Sequence, residues 1–184
     1  MLISKFDTTD ITDKINEFES KYNITLPERY RVFMLKYNGG RTPKTKFKKG
    51  RSSSDVRAFY GFGDVMYSFE EIVDLDEWVK KDILPIACDS FGNKISIGLN
   101  GDSVNKIYFC DHEKGFKKAL IANDLQDFTD KCKSEKCKPV MSIEERRRLM
   151  IEEGREHIIS DGLIQIWQDE IDLYGNIVQE KVMF

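Results

Sequence analysis

The sequence predicts a mixed fold in which amphipathic helices accompany a run of consecutive antiparallel strands. Two helical stripes near the N-terminus and three short apolar runs further on carry that prediction. The apolar runs, at 83–87, 95–99 and 106–109, are separated by turn clusters at 89–93 and 100–103 that are rich in Gly, Asn, Asp and Ser. Such spacing predicts adjacent antiparallel strands, because Gly and Asn tolerate the left-handed backbone of tight loops.

Each element follows from local signals. Ile11, Ile15, Phe18 and Tyr22 recur at helical spacing behind Asp10, which is placed to cap the first amides, so a helix runs from about 11 to 22. Pro27 opens a second helix where its missing N–H costs nothing, and Tyr30, Phe33, Met34 and Tyr37 mark its buried face. Asn38, Gly39 and Gly40 end it, since glycine supplies a left-handed C-terminal cap. Residues 41–57 carry Arg41, Lys44, Lys46, Lys48, Lys49, Arg51 and Arg57 against one acid, Asp55, and predict a mobile loop. A strand over 57–62 follows, with Phe59, Tyr60 and Phe62 suited to a pleated surface. Ser68 and Glu71 form a capping box that opens a helix over 69–80, with Ile72, Val73, Leu75 and Val79 as its apolar positions. A helix near 124–132 carries Leu125 and Phe128. Beyond a polar connector at 134–139, a capping box of Ser142 and Glu145 starts a helix ending at Gly154, and Leu163, Ile164, Trp167, Ile171 and Tyr174 predict another over 161–174, capped by Ser160 or Asp161. Residues 177–184 read as a short extended tail.

Composition narrows the function classes. A chain of 184 residues suits one domain with a terminal elaboration, and its 40% hydrophobic content with twelve Phe residues predicts a folded core. A net charge of −3 gives no overall attraction to nucleic acid or an anionic membrane. No apolar run approaches the roughly 20 residues needed to span a bilayer, and the N-terminus lacks a signal-peptide pattern, so the expected compartment is the cytoplasm. Of the four cysteines, Cys88 and Cys110 lie in predicted strands as buried thiols, and the spacing of Cys132 and Cys137 is too wide for a zinc knuckle.

Candidate chemistry is sparse. Asp111-His112-Glu113 places an imidazole between carboxylates, but neighbours on a strand point to opposite faces, so a turn-forming role is expected. Adding Cys110 and distant His157 makes a poor zinc set. Asn38-Gly39-Gly40 and Tyr60-Gly61-Phe62-Gly63 lack the lysine and the glycine spacing of phosphate-binding loops. The basic segment with Phe47 has the makings of a nucleic-acid grip, yet it is equally compatible with a protein of opposite charge. No catalytic, cofactor-binding or metal-ligating residue is assigned.

Three motifs in order, at 24–40, 84–93 and 108–113, resemble those of the SUKH superfamily, over roughly residues 8–130. Ile-Thr-Leu-Pro-Glu-Arg-Tyr-Arg-Val-Phe-Met-Leu-Lys-Tyr-Asn-Gly-Gly at 24–40 is similar to its opening signature. Leu84-Pro85-Ile86-Ala87-Cys88-Asp89 with Gly92-Asn93 resembles its central strand and turn, and Tyr108 through Glu113 its later strand. The resemblance implies an α+β domain with helices on one central, largely antiparallel sheet, here over 1–138; the chain departs from the family's pattern in the basic loop at 41–57 and in a C-terminal helical extension over 139–184, expected to pack on the same domain. It also implies a non-enzymatic binding module: for bacterial members, an immunity protein occluding a nuclease or deaminase toxin; for yeast relatives, a regulatory or scaffold protein in cell-wall or signalling pathways. The acidic segment at 64–82 supplies the expected partner surface: Glu70, Glu71, Asp74, Asp76 and Glu77 to attract a basic domain, with Trp78 either as anchor or packed into the core. Neither direct nucleic-acid binding nor membrane association is expected, and no oligomeric state follows from the sequence.

Overall fold

In a computed structural model, which describes residues 1–175 and 177–184, the elements run β1 (Leu2–Lys5), α1 (Ile11–Tyr22), α2 (Glu28–Tyr37), β2 (Gly40–Lys49), β3 (Ser52–Phe59), α3 (Leu75–Lys80), β4 (Ile83–Cys88), β5 (Lys94–Gly98), β6 (Ile107–Asp111), β7 (Lys117–Ala122), α4 (Leu125–Lys131), β8 (Lys133–Ser134), α5 (Ile143–Glu152), α6 (Asp161–Tyr174) and β9 (Glu180–Lys181). The fold class is α+β. One sheet has the order β7-β6-β5-β4-β3-β2-β1-β9, with β8 also on β2, and its strands pair antiparallel. The chain divides into two compact units: Met1–Lys136 together with Gln179–Phe184, and Cys137–Val178.

The first unit is built around aromatic contacts between helices and sheet. Ile11, Ile15 and Phe18 are buried one helical turn apart on α1, and Phe18 meets Phe62 and Phe69 with ring centroids 5.0 and 5.1 Å apart. On α2, Phe33 is fully buried and lies 5.0 Å from Phe59 of β3. Phe128 of α4 packs edge-on to Phe47 at 5.3 Å. The C-terminal residues return to this core: β9 pairs with β1, the Met183 N–H donates to the Tyr37 hydroxyl at 3.0 Å, and Phe184 lies 6.3 Å from Phe33. In the second unit, Ser142 caps α5 by accepting from the Glu145 N–H at 3.1 Å, Ser160 caps α6 by accepting from the Leu163 N–H at 3.3 Å, and the Arg146 guanidinium lies 5.8 Å from the Trp167 ring.

Several local expectations need correction. Asp10 does not cap α1, because its φ of 55° is left-handed and an N-cap needs extended backbone to aim its oxygen at the first amides. The left-handed cap of α2 is Asn38 (φ 48°), whose buried amide donates to the carbonyls of Asp7 (2.6 Å) and Phe62 (3.0 Å) and accepts from the Phe62 N–H (2.8 Å). Gly39 follows at φ 73°, and a Cβ there would stand 2.3 Å from the Tyr60 carbonyl oxygen, so only glycine fits. Residues 41–57 are not a loop but most of the β2–β3 hairpin. Pro43, Thr45 and Phe47 are buried while Lys44, Lys46 and Lys48 are exposed, which is the period of two of a strand with one wet face. The expected helix at 69–80 is broken by Asp74, whose φ is 54°, into a 3-10 turn (Phe69–Glu71) and the short α3. Ser68 pairs with Glu70 rather than Glu71, accepting from its N–H at 3.2 Å and donating to its carboxylate at 3.0 Å.

Two stability predictions arise from this core. The Tyr30 hydroxyl is fully buried and has no hydrogen-bond partner among the described residues. An unpaired buried hydroxyl is desolvated without compensation, so Tyr30→Phe raises the unfolding free energy by about 1 kcal/mol in urea titrations. The second concerns alkaline pH. Burial pushes the Cys132 thiol up from 9.0 to about 12 in the folded chain. On raising the pH the unfolded chain releases this proton first, so the stabilisation is complete below pH 9 and is lost as the pH climbs toward 12. Stability should fall between neutral pH and about pH 11, and Cys132→Ala should fall less steeply over that interval.

Candidate protein-interaction surface

The segment from Ser68 to Lys80 turns Phe69, Ile72, Leu75 and Trp78 inward and its carboxylates outward, while Val73, an expected apolar position of the helix, is 79% exposed. Phe69, Ile72, Leu75 and Trp78 are 2 to 8% exposed, and Phe69 stacks on Phe62 with centroids 4.8 Å apart. Their burial leaves Glu70, Glu71, Asp74, Asp76 and Glu77 all exposed. The left-handed turn at Asp74 leaves its carboxylate out of any capping bond. Glu77 pairs with Lys80 at 2.7 Å, which holds the Glu77 carboxyl below its usual range and raises the Lys80 ammonium. Among the described residues, Glu71, Asp74 and Asp76 form no ion pair. The five expected partner-binding carboxylates are therefore on one solvent-facing segment, anchored by four buried side chains.

Trp78 sits differently from its neighbours. At 8% exposed it belongs to the core and meets Phe116 edge-on, with centroids 5.0 Å apart and planes at 67°. The two rings line a cleft of about 510 Å³ with Glu71, Asp74, Glu77 and Lys94. Phe116, 39% exposed, has φ 59°, an uncommon conformation for a bulky residue; its N–H is held by the Asp111 carbonyl at 2.7 Å. Lys94 sends its ammonium to the Tyr60 hydroxyl, and burial lowers its basicity. Burial likewise raises the Tyr60 phenol and the neighbouring Cys88 thiol. Lys94 and Phe116 escaped the sequence reading because they enter the cleft from distant strands and turns; only the pairing of β4 with β5 and β6 with β7 brings them to α3.

The remaining chemical candidates resolve into structural bonds. Asp111 accepts from the Glu113 N–H at 3.2 Å and pairs with Lys114 at 2.7 Å, while His112 Nδ1 lies 2.9 Å from the Asn93 amide oxygen. The imidazole is thus oriented by an amide, not by either adjacent acid, and the three residues build a turn. The thiols of Cys88, Cys110 and Cys132 are all pushed up by burial, the reverse of what an attacking thiolate needs. Phe47, the aromatic of the basic segment, is 3% exposed and unavailable for stacking on a base. Among the described residues no group of three or more His, Cys, Asp or Glu side chains gathers at metal-binding range, and no helix is long and apolar enough to cross a membrane.

A family model settles kinship: the model of the SMI1 / KNR4 family (SUKH-1) matches residues 12–131. The chain belongs to this family. The matched region begins in α1 and ends in α4, so the acidic segment, the cleft beside it and the basic hairpin all lie within the SUKH-1 portion, while α5 and α6 lie beyond it. No curated protein and no solved structure gives a match to the chain.

Proposed function

We propose that this SUKH-1 chain is a non-enzymatic binding module, a cytoplasmic immunity protein that neutralises a toxin domain of nuclease or deaminase type by covering its active surface. The observation that carries the reading is the exposure of Glu70, Glu71, Asp74, Asp76 and Glu77 on one core-anchored segment, with Glu71, Asp74 and Glu77 beside the Trp78 cleft. A domain that acts on nucleic acid presents cations where the phosphates bind, and a complementary row of carboxylates accelerates encounter and competes for that surface. The Trp78–Phe116 cleft offers aromatic surface beside the acids, suited to the stem and charge of a partner's arginine or lysine.

The test is co-expression with toxin domains encoded beside the chain's gene. The expected result is that one such domain arrests growth alone, that growth returns with this chain, and that the purified pair forms a stable complex without turnover of any substrate. Failure to protect against every neighbouring toxin domain would contradict the reading. The alternative, a regulatory or scaffold protein of the same fold, draws on a different observation: in the second unit Ile151, Ile158, Ile166 and Leu173 are each 48 to 63% exposed, apolar surface that a partner could cover. Recovery of housekeeping proteins, rather than a toxin fragment, by the full chain from native lysate would favour it.

A further inference from the structure

The β2–β3 hairpin and the turn at 89–93 enclose a second groove, of about 540 Å³, whose character is opposite to that of the acidic segment. Lys44, Lys46 and Arg57 line it, together with the exposed ring of Phe91. Lys48 continues the row on the same strand, and Lys133 of β8 stands directly across from Lys46. None of Lys44, Lys46 and Lys48 forms an ion pair among the described residues. The groove's carboxylate, Asp55, is engaged by Ser90, accepting from its N–H at 3.2 Å and from its hydroxyl.

Phe91 is 68% exposed, yet its backbone is firmly held. Asp89, 3% exposed, accepts from the N–H groups of Phe91 (2.9 Å) and Asn93 (2.8 Å), from the Asn93 amide (2.6 Å) and from the Ser54 hydroxyl (2.7 Å). The turn is therefore clamped to β3 twice, through Ser54–Asp89 and Asp55–Ser90. An aromatic displayed on a backbone already ordered loses little entropy on binding, which is the property of an interface anchor.

We propose that this groove docks an extended acidic segment of a protein partner, with Phe91 as its apolar anchor and Lys44, Lys46 and Lys48 as its charge row. Alternate residues on a strand lie about 6.8 Å apart, and an extended partner repeats its same-side carboxylates at the same interval, so the three lysines meet three acids in register. A single-stranded nucleic acid is less well served. Such grooves stack successive bases on several aromatics, and here Phe91 is exposed while Phe47 is buried. The net charge of −3 supplies no molecule-wide cationic field.

Fluorescence anisotropy of the full chain with a fluorescein-labelled peptide of alternating glutamate and leucine tests the proposal, with a lysine–leucine peptide and labelled oligothymidine as comparators. The acidic peptide is expected to bind in a salt-sensitive manner. The triple variant Lys44→Glu, Lys46→Glu, Lys48→Glu, and separately Phe91→Ala, should each weaken it about tenfold. All four positions are exposed, and near-ultraviolet circular dichroism verifies that the variants fold. Lysine substitutions at Glu71, Asp74 and Glu77 should not weaken it, which separates this groove from the toxin-binding surface proposed above. No binding of the acidic peptide, equal binding by the hairpin and Phe91 variants, or tighter binding of oligothymidine would each overturn the proposal.

Discussion

Asp89→Ala is expected to lower the unfolding free energy by about 3–5 kcal/mol, because four neutral donors lose the buried acceptor they share. The Asp89 carboxylate is 3% exposed and accepts from two backbone N–H groups, the Asn93 amide and the Ser54 hydroxyl. Alanine removes the acceptor and leaves four buried or half-buried donors, each costing about 1–3 kcal/mol where water does not reach it. Relaxation of the turn recovers part of that sum. The damage spreads, because the Asn93 amide oxygen, positioned by Asp89, accepts from the His112 N–H at 3.0 Å and lies 2.9 Å from its ring. Asp89→Asn keeps an acceptor but turns an N–H₂ toward other donors, so an intermediate loss is expected. Denaturant titration checks both; a loss below about 1 kcal/mol for the alanine variant would show that the turn is held by other contacts.

Reversal of the acidic segment by Glu71→Lys, Asp74→Lys and Glu77→Lys is expected to weaken the proposed toxin complex about 100-fold or more, equivalent to about 2.7 kcal/mol. Like charges then face one another across the contact, and the steering of a basic partner is lost. Stability should change by less than about 1 kcal/mol, because all three positions are exposed and the one ion pair removed, Glu77–Lys80, is a surface pair. Surface plasmon resonance over a range of salt separates the effects: the wild-type association rate should fall as salt rises, and that of the reversed variant should not. Unchanged affinity after reversal would move the contact off this segment.

The parts of the fold written in local spacing were legible. The stripes of Ile11, Ile15, Phe18 and of Tyr30, Phe33, Met34, Tyr37 are the buried faces of α1 and α2, and the apolar runs near 83, 95 and 107 became β4, β5 and β6. The hairpin at 40–59 was obscured by its charge: seven cations drew attention away from the buried Pro43, Thr45 and Phe47 between them. Edge strand β7 carries no alternation to read, since Lys117 through Leu120 are all exposed, and β1 and β9 are too short to signal without each other. At the candidate site, five carboxylates among buried Phe69, Ile72 and Leu75 could be recognised as a wet face. For Trp78 the sequence left interface anchor and core residue equally open; Phe116, which decides for the core, arrives from a turn beyond β6. Phe91 was missed for a similar reason: a turn sequence announces the turn, while the bonds from Asp89 to Ser54 and from Ser90 to Asp55 that fix its direction are non-local.

Hydrogen–deuterium exchange of the chain, free and bound to the proposed toxin partner, addresses most directly the claim that function resides in the acidic segment. Exchange should slow on binding in residues 68–81 and around Gly115 and Phe116, with residues 143–174 unchanged. Protection confined to the second unit or to the hairpin, with the acidic segment exchanging as in the free chain, would contradict it.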